Sequence, residues 1–500
     1  MSSATSPKIQ LAVFVSCVLL GFAIFFPLIN NSFLSDDFLS LHRLVIEKRI
    51  IYKGVFRPLI DISFYFNYLI SGFNPVSYYI FNIFLHCINA FLVFKVAGRF
   101  TMFNGRDQFY FALLSGILFL IYPFHLEPIA WLTARLASIA SCCGLLILYW
   151  SGRNEKGYKY FVFSLIAFFV ALTGYESIIL MPFIILAWTW TDPSPRKQKF
   201  SIFFAWLLLV GIYLVLRLLI SEELTTNYSS RIYEGNRVTD YALKFAKTTG
   251  RLFLPPIEDS QLMIKLFAIV VAAIILIHWF LWKKLKSTRA HRKYISLLLV
   301  LVISLALPMA FGVSTRTSEA DRLLYFPSAF LCMIVSAAIL MLAKGKGRLI
   351  LIIAISAYFL LYLFKNVRQW EIASAATTEI LKMALNDKEQ KKIFINVPDE
   401  LEGTFVFREG FNESIKLNGS DSIHVACFNY LNRLQYLNVN SIIKPIYDSN
   451  SIAIYPVSVL RKNEKGWTLT NTSTTTTIEL LPGTEVIYWD KRALNRVSLR

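Results

Sequence analysis

Apolar residues run along this chain in long blocks rather than in the short alternating patches of a soluble core. Eleven runs, near 11–29, 77–97, 109–123, 130–150, 160–175, 177–191, 200–220, 263–282, 295–313, 322–343 and 349–364, approach the roughly 20 residues that cross a bilayer. The pattern predicts a polytopic α-helical membrane protein with about eleven transmembrane helices. The first run is longer than the core of a cleaved leader and no small-x-small site follows it, so it reads as a retained anchor. Beyond about residue 367 the period changes. Segments 392–397, 403–407, 422–426, 452–457 and 485–489 are short, β-branched or aromatic, and parted by Gly, Pro, Asn and Asp. They predict a small C-terminal extramembrane domain, α+β or mostly β, over 367–500, following a membrane region 1–366 whose first outer loop is 30–76. From Ile50 to Asn67 a helical period broken by Arg57, Pro58 and Asp61 places part of that loop in the interface.

Composition agrees with this division. The chain is 56% hydrophobic and 17% charged, with a mean hydropathy of +0.53, which excludes a single soluble globular enzyme. The net charge of +19 suggests nucleic acid until it is divided by region: from Arg368 onward there are 16 Lys and Arg against 15 Asp and Glu, leaving 35 against 17 before it. The excess belongs to the membrane part and is explained by topology, so no nucleic-acid partner is expected and membrane lipids are. Lys8 and the groups Lys95/Arg99/Arg106, Arg153/Lys156/Lys159, Arg196/Lys197/Lys199, Lys283 to Lys293 and Lys344/Lys346/Arg348 all fall on one side of an eleven-helix chain. That side is read as cytoplasmic, with the N-terminus on it. The long polar segments then lie on the opposite, periplasmic face of an inner (plasma) membrane. The six cysteines form no CxxC pair and read as small buried hydrophobes.

Ionisable residues beside membrane helices are costly, so their positions are informative. Asp36-Asp37, just past the first run, can supply a general base or hold a divalent ion that screens a phosphate; the bland alternative is a helix cap after Ser35. Arg57 can hold a lipid phosphate or merely snorkel. His125 and Glu127 close the third run and Arg135 opens the fourth. Glu176 sits at a junction of two runs. Asp321-Arg322 precedes Tyr325 at the tenth, with ion pairing of Arg322 to Asp321 or Glu319 as the alternative to chemistry. Asp36, Asp37, His125 and Glu127 suffice as ligands for a divalent cation only if the fold brings them together. No Walker loop, nucleotide-binding glycine turn, HExxH or GxSxG occurs, which leaves ATP coupling and protease chemistry unsupported.

These residues stand in a recognisable order. Asp36-Asp37, Phe56-Arg57-Pro58-Leu59, Gly72-Phe73-Asn74-Pro75-Val76-Ser77-Tyr78-Tyr79, Asn82-Ile83-Phe84-Leu85-His86, and Pro123-Phe124-His125-Leu126-Glu127-Pro128-Ile129-Ala130-Trp131 with Arg135 resemble the GT-C superfamily of membrane glycosyltransferases, in its protein O-mannosyltransferase-like branch. Asp321-Arg322-Leu323-Leu324-Tyr325-Phe326-Pro327-Ser328 is similar to that branch's Glu-Arg-Tyr-Leu-Tyr-Leu-Pro-Ser. The resemblance spans roughly 10–365. It departs at Tyr122, where the branch carries a histidine, at Asp321, where it carries a glutamate, and at Tyr175-Glu176, where it carries Lys-Glu. The tail has no helical repeat.

The resemblance implies transfer of a sugar from a polyprenyl-phosphate carrier to a protein, lipid or glycan acceptor on the outer face, with inversion. It implies Asp36 as base, with Asp37 orienting it or holding a metal. Arg57, Arg135 and Arg322 would neutralise phosphate, and His125, Glu127, Glu176, Asp321 and Tyr325 would line the sugar or acceptor pocket. A lipid or polysaccharide transporter or flippase is the non-enzymatic rival, and a pyrophosphate-donor O-antigen ligase or polymerase the enzymatic one.

Overall fold

The computed structural model describes residues 6–50, 56–151, 158–192, 196–221, 238–257, 259–285, 288–386, 390–418, 425–429, 434–436, 443–445, 458–463, 466–471, 477–480, 483–489 and 493–497. The chain is a polytopic helical membrane protein. It divides into two units, one of residues 1–29, 50–63 and 77–367, the other of residues 30–49, 64–76 and 368–500.

In the first unit every expected apolar run lies on helix. Seven helices among the described residues are long and apolar enough to cross a membrane: Pro7–Asn30, Val76–Arg99, Ile202–Ile220, Gln261–Lys284, Ala290–Phe311, Asp321–Leu342 and Gly345–Leu385. The first starts where Ser6 caps it and Pro7 occupies its opening turn. The remaining four runs form shorter helices, Gly105–Leu120, Arg135–Ser151, Tyr158–Leu172 and Met181–Thr189. They are parted around 121–134 and 173–180, where Pro123, Pro128 and Pro182 open the short segments Pro123–His125, Glu127–Ala130 and Met181–Thr189 at first-turn positions that need no N–H donor. Broken backbone at membrane depth must find partners inside the protein. Asn366 Nδ2 donates to the Pro123 carbonyl at 2.9 Å, and Asn82 Nδ2 lies 3.4 Å from the Pro128 and Ile129 carbonyls.

Tyr325–Leu342 is the central helix of this unit. It is almost wholly buried and packs on Gly105–Leu120, Arg135–Ser151 and Thr288–Phe311, whereas Gln261–Lys284 is largely exposed. The interface charge pattern did not reveal one further helix, Val238–Arg251. The segment from Ile50 to Asn67 contributes the start of the helix Pro58–Ser71, residues 51–55 lying outside the described ones. Arg153 and Lys156 also lie outside them.

The second unit carries the strands. Lys392–Val397 and Glu485–Trp489 form where the β-branched pattern places them. Lys392–Val397 pairs in parallel with Glu485–Trp489 on one side and Val425–Asn429 on the other, and Leu434–Tyr436 and Leu494–Val497 complete a five-stranded mixed sheet. A second sheet of four antiparallel strands runs Ile443–Pro445, Thr477–Leu480, Gly466–Asn471, Ser458–Asn463. The segment expected at 403–407 shrinks to Thr404–Phe405 in a two-stranded hairpin. The one expected at 422–426 moves to 425–429, with 422–424 outside the described residues, as is all of 452–457. Phe394, Phe405, Phe407, Phe411 and Val486 form the core of this unit. Buried Lys392 reaches back to the Met383 carbonyl at 3.0 Å, capping the end of the helix Gly345–Leu385. All six cysteines are free thiols, four of them buried.

Small residues allow close helix contact inside the first unit. A Cβ on Gly116 would meet the Ala90 carbonyl oxygen at 2.9 Å and the Phe94 Cβ at 3.0 Å, while one on Gly98 meets nothing nearer than 3.7 Å. Gly116→Ala is therefore expected to cost about 1–3 kcal/mol through overpacking. Gly98→Ala should be neutral or stabilising. Thermal unfolding in detergent checks this, and equal midpoints for the two variants would contradict the packing.

Candidate active site

In the second unit, the acids that follow the first helix sit on a tight turn. Asp37 N–H donates to the Leu34 carbonyl at 2.9 Å, and the Asp37 carboxylate accepts from Leu34 N–H at 3.0 Å. Ser35, between them, has φ 43° and ψ −116°, a conformation that favours glycine and costs a side-chain-bearing residue about 1–3 kcal/mol. The helix Asp36–Leu41 starts here with two carboxylates in its first turn, where the helix dipole favours them. The two adjacent acids thus differ. Asp37 is fully buried and its carboxylate closes the turn; Asp36 is partly exposed and accepts a hydrogen bond from the Ser35 hydroxyl at 3.1 Å.

In the first unit, charged side chains gather at the broken ends of the short helices. Glu176, in the turn before Met181–Thr189, is shared by two guanidiniums. Arg57 Nε and Nη2 lie 3.2 and 3.0 Å from Oε2, and Arg217 Nη1 lies 2.5 Å from Oε1. Arg57 also packs over the Tyr175 ring at 5.4 Å. Arg322 donates through its guanidinium and its backbone N–H to Glu127, the latter at 2.7 Å, and lies over the Trp131 ring at 5.4 Å. Tyr175 feels the charges of Arg322, Arg57, Glu176 and Glu127, so these groups form one electrostatic cluster. The arginines Arg57 and Arg322 are partly exposed, at 25% and 18% of their side chains, while Glu127 is wholly buried. Burial pushes the Glu127 carboxyl up against the opposing pull of Arg322.

Arg322 is therefore paired with Glu127. Asp321 pairs with Arg251 at the end of Val238–Arg251. Sequence reasoning missed both Arg217 and Arg251. Arg217 lies inside the run 200–220, so the rule that singled out Arg135 would also have found it; the polar segment around Arg251 offered no comparable signal.

Other expected residues are engaged inside the protein. Tyr325 is buried in a polar chain: Asn89 Nδ2 donates to its hydroxyl at 3.1 Å, and the hydroxyl meets His86 Nδ1 at 2.7 Å. His86 Nε2 faces the Leu120 carbonyl, an acceptor only, so it carries the proton and Nδ1 accepts from Tyr325. His125 is also fully buried, with Nδ1 2.7 Å from the Ser328 hydroxyl and its ring among Phe119, Tyr122 and Tyr325. Burial holds its imidazole well below the ordinary range, hence neutral. The side chains of His125 and Glu127 thus engage different partners. Arg135 is fully buried and donates toward the Ser63 and Tyr78 carbonyls at 3.5 and 3.3 Å, beside the Phe81 ring. Among the described residues no three His, Cys, Asp or Glu side chains gather as a metal ion would need.

The EpsG family profile matches residues 44–373. The chain is similar to protein O-mannosyl-transferase Tmtc1 of Drosophila melanogaster, 40% identical over 102 residues that make up 20% of this chain and 11% of that protein. It is similar to protein O-mannosyl-transferase TMTC2 of Homo sapiens, 34% identical over 108 residues, 21% of this chain and 12% of that protein. The chain thus spans about a tenth of the length of these curated relatives. Both carry the name of the branch whose motifs the sequence resembles. Among solved structures, the arabinofuranosyltransferase AftD from Mycobacteria aligns with a TM-score of 0.42 at 10% identity, over 81% of this chain and 31% of that one.

The shared carboxylate makes a stability test. Glu176→Gln leaves two largely buried guanidiniums facing a neutral amide and should cost roughly 3 kcal/mol. Asp107→Asn, which breaks the exposed pair with Arg348 at 3.0 Å, should cost about 1 kcal/mol or less. Thermal unfolding of the two variants in one detergent ranks them; a Glu176→Gln midpoint equal to that of Asp107→Asn contradicts the shared clamp.

Proposed function

The chain belongs to the EpsG family, and from that premise we propose that it is an integral-membrane glycosyltransferase, mannosyltransferase-like, moving a sugar from a polyprenyl-phosphate carrier to an acceptor on the periplasmic face. The observation that carries this reading is the pair of partly exposed arginines, Arg57 and Arg322, each oriented by its own glutamate at the broken helix ends. Guanidiniums held in this way bind a lipid phosphate with fixed geometry. Glu176 occupies the Nε and Nη2 edge of Arg57, and no acceptor is bonded to its Nη1 among the described residues. The names of the curated relatives point to the same chemistry.

The reaction needs little else from the protein. The acceptor oxygen attacks the anomeric carbon, the bond from that carbon to the phosphate oxygen breaks, and the carrier phosphate leaves without needing a proton. Asp36 takes the acceptor proton; its partial exposure suits that task better than the buried Asp37. Arg57 and Arg322 stabilise the charge that develops on the leaving phosphate, and Arg135 is the third cation the resemblance assigns to it. Single displacement inverts the anomeric centre. Residues 1–366 form the catalytic membrane region, with the N-terminus cytoplasmic, and 367–500 a periplasmic domain. The acceptor is a protein, lipid or glycan.

Sugar release from a panel of synthetic polyprenyl-phosphate hexoses by the purified full chain in detergent tests the reading. Asp36→Asn should lower the rate about 100- to 10,000-fold. Arg57→Lys, which keeps charge but loses the fork, should raise the donor KM roughly tenfold. No release from any donor, combined with tracer uptake by vesicles lacking sugar-lipid, would replace the transferase with a transporter.

A further inference from the structure

The turn that bears Asp36 is built against the chain beyond residue 400. Ser35 N–H donates to the Val406 carbonyl at 3.0 Å, and Glu409 N–H donates to the Ser35 hydroxyl at 3.3 Å. That hydroxyl in turn donates to Asp36. One relay therefore runs from the backbone of Glu409, through Ser35, to the carboxylate. Phe38 stacks on Phe407, with ring centroids 5.9 Å apart and planes 16° from parallel. Upstream, Ser32 N–H donates to Ser374 Oγ at 2.8 Å.

Gly410 completes the grip. Its φ is +85°, and a Cβ there would run into the Ser35 carbonyl and come within 3.3 Å of the Phe38 Cβ. Glycine is thus required twice, for the left-handed backbone and for the close approach. The strained Ser35 is over-determined by contacts on the 406–410 side, which is how strain persists at working sites.

We propose that Ser35 and the segment Val406 to Gly410 are the positioning elements of Asp36, so that the C-terminal region is a working part of the transferase and not an appendage to it. This rests on Asp36 being the base of the proposed reaction. A base displaced by about 1 Å loses roughly 100-fold in rate while donor binding persists.

The experiment compares the full chain in detergent with Gly410→Ala and with Gly483→Ala. Gly483 has φ +78° and nothing within 4 Å of its added Cβ, so it reproduces the backbone strain in the same unit without the contact. Two readouts are taken: amide hydrogen exchange of the peptide spanning 33–42, and kcat and KM for sugar release from a polyprenyl-phosphate hexose. Gly410→Ala should speed exchange at 33–42 and lower kcat about 100-fold with KM held; Gly483→Ala should do neither. Unchanged exchange in Gly410→Ala, or faster exchange with kcat intact, overturns the positioning role. A global loss of protection in Gly410→Ala is met by Phe407→Leu, which keeps an apolar core residue but removes the stack; it should show the same local exchange and the same kcat loss, and a native kcat overturns the proposal. A wild type that releases no sugar from any donor overturns the glycosyltransferase reading, and the exchange readout still decides whether 406–410 sets the turn.

Discussion

A single carboxylate held by two guanidiniums ties the broken part of the membrane region together. Glu176 lies between two short helices, Arg57 comes from the segment just before the helix Pro58–Ser71 and Arg217 from the long helix Arg196–Ser221. Three segments far apart in sequence therefore meet at one charge. In a bilayer the alternative to pairing is an orphaned ion, and that penalty exceeds most packing terms. The cluster gains no great stability relative to an apolar core. What it does is hold Arg57 in one orientation while leaving part of it accessible, and Glu127 does the same for Arg322.

The tendency of buried polar groups to find partners distinguishes the polar side chains by how much of each is engaged inside the protein. Tyr325 and His86 lie in a chain from Asn89 to the Leu120 carbonyl, with every proton direction set by the acceptor at its end. His125 leans on Ser328 inside an aromatic cage. Their chemical types look functional in sequence because polar atoms within apolar runs are rare. Their surroundings give most of those atoms internal partners. Arg57, Arg322 and Asp36 differ in keeping some exposure.

Much of the architecture was legible because length and period are local properties. All eleven apolar runs lie on helix, and Lys392–Val397 and Glu485–Trp489 occur at the expected residues. Helix lengths were less legible: helices stop at Leu120 and Leu172 and longer ones restart only at Arg135 and Met181, so hydropathy alone joins what the backbone separates. Pairing was hidden altogether. Arg322 has acidic neighbours at Asp321 and Glu319, and it also engages Glu127, far away in sequence, because the turn at 321–324 packs against the turn at 123–125 in three dimensions. Polar strands such as Gly466–Asn471 gave too weak an apolar alternation to stand out.

The first outer loop makes the limit of local reading plain. In sequence, Ser35-Asp36-Asp37 is consistent with an ordinary helix start, and a start is formed; yet Ser35 takes a conformation that its own residue type disfavours. Nothing within the loop explains why glycine is not used there. The explanation lies far along the chain, where the Val406 carbonyl and Glu409 N–H engage the backbone and the hydroxyl of Ser35. Glycine at 35 would relieve the backbone but remove the hydroxyl that connects Glu409 to Asp36. Serine at a glycine-favouring position thus exchanges local strain for a directed hydrogen bond on the exposed acid, and Gly410 accepts the left-handed backbone that lets the two segments approach.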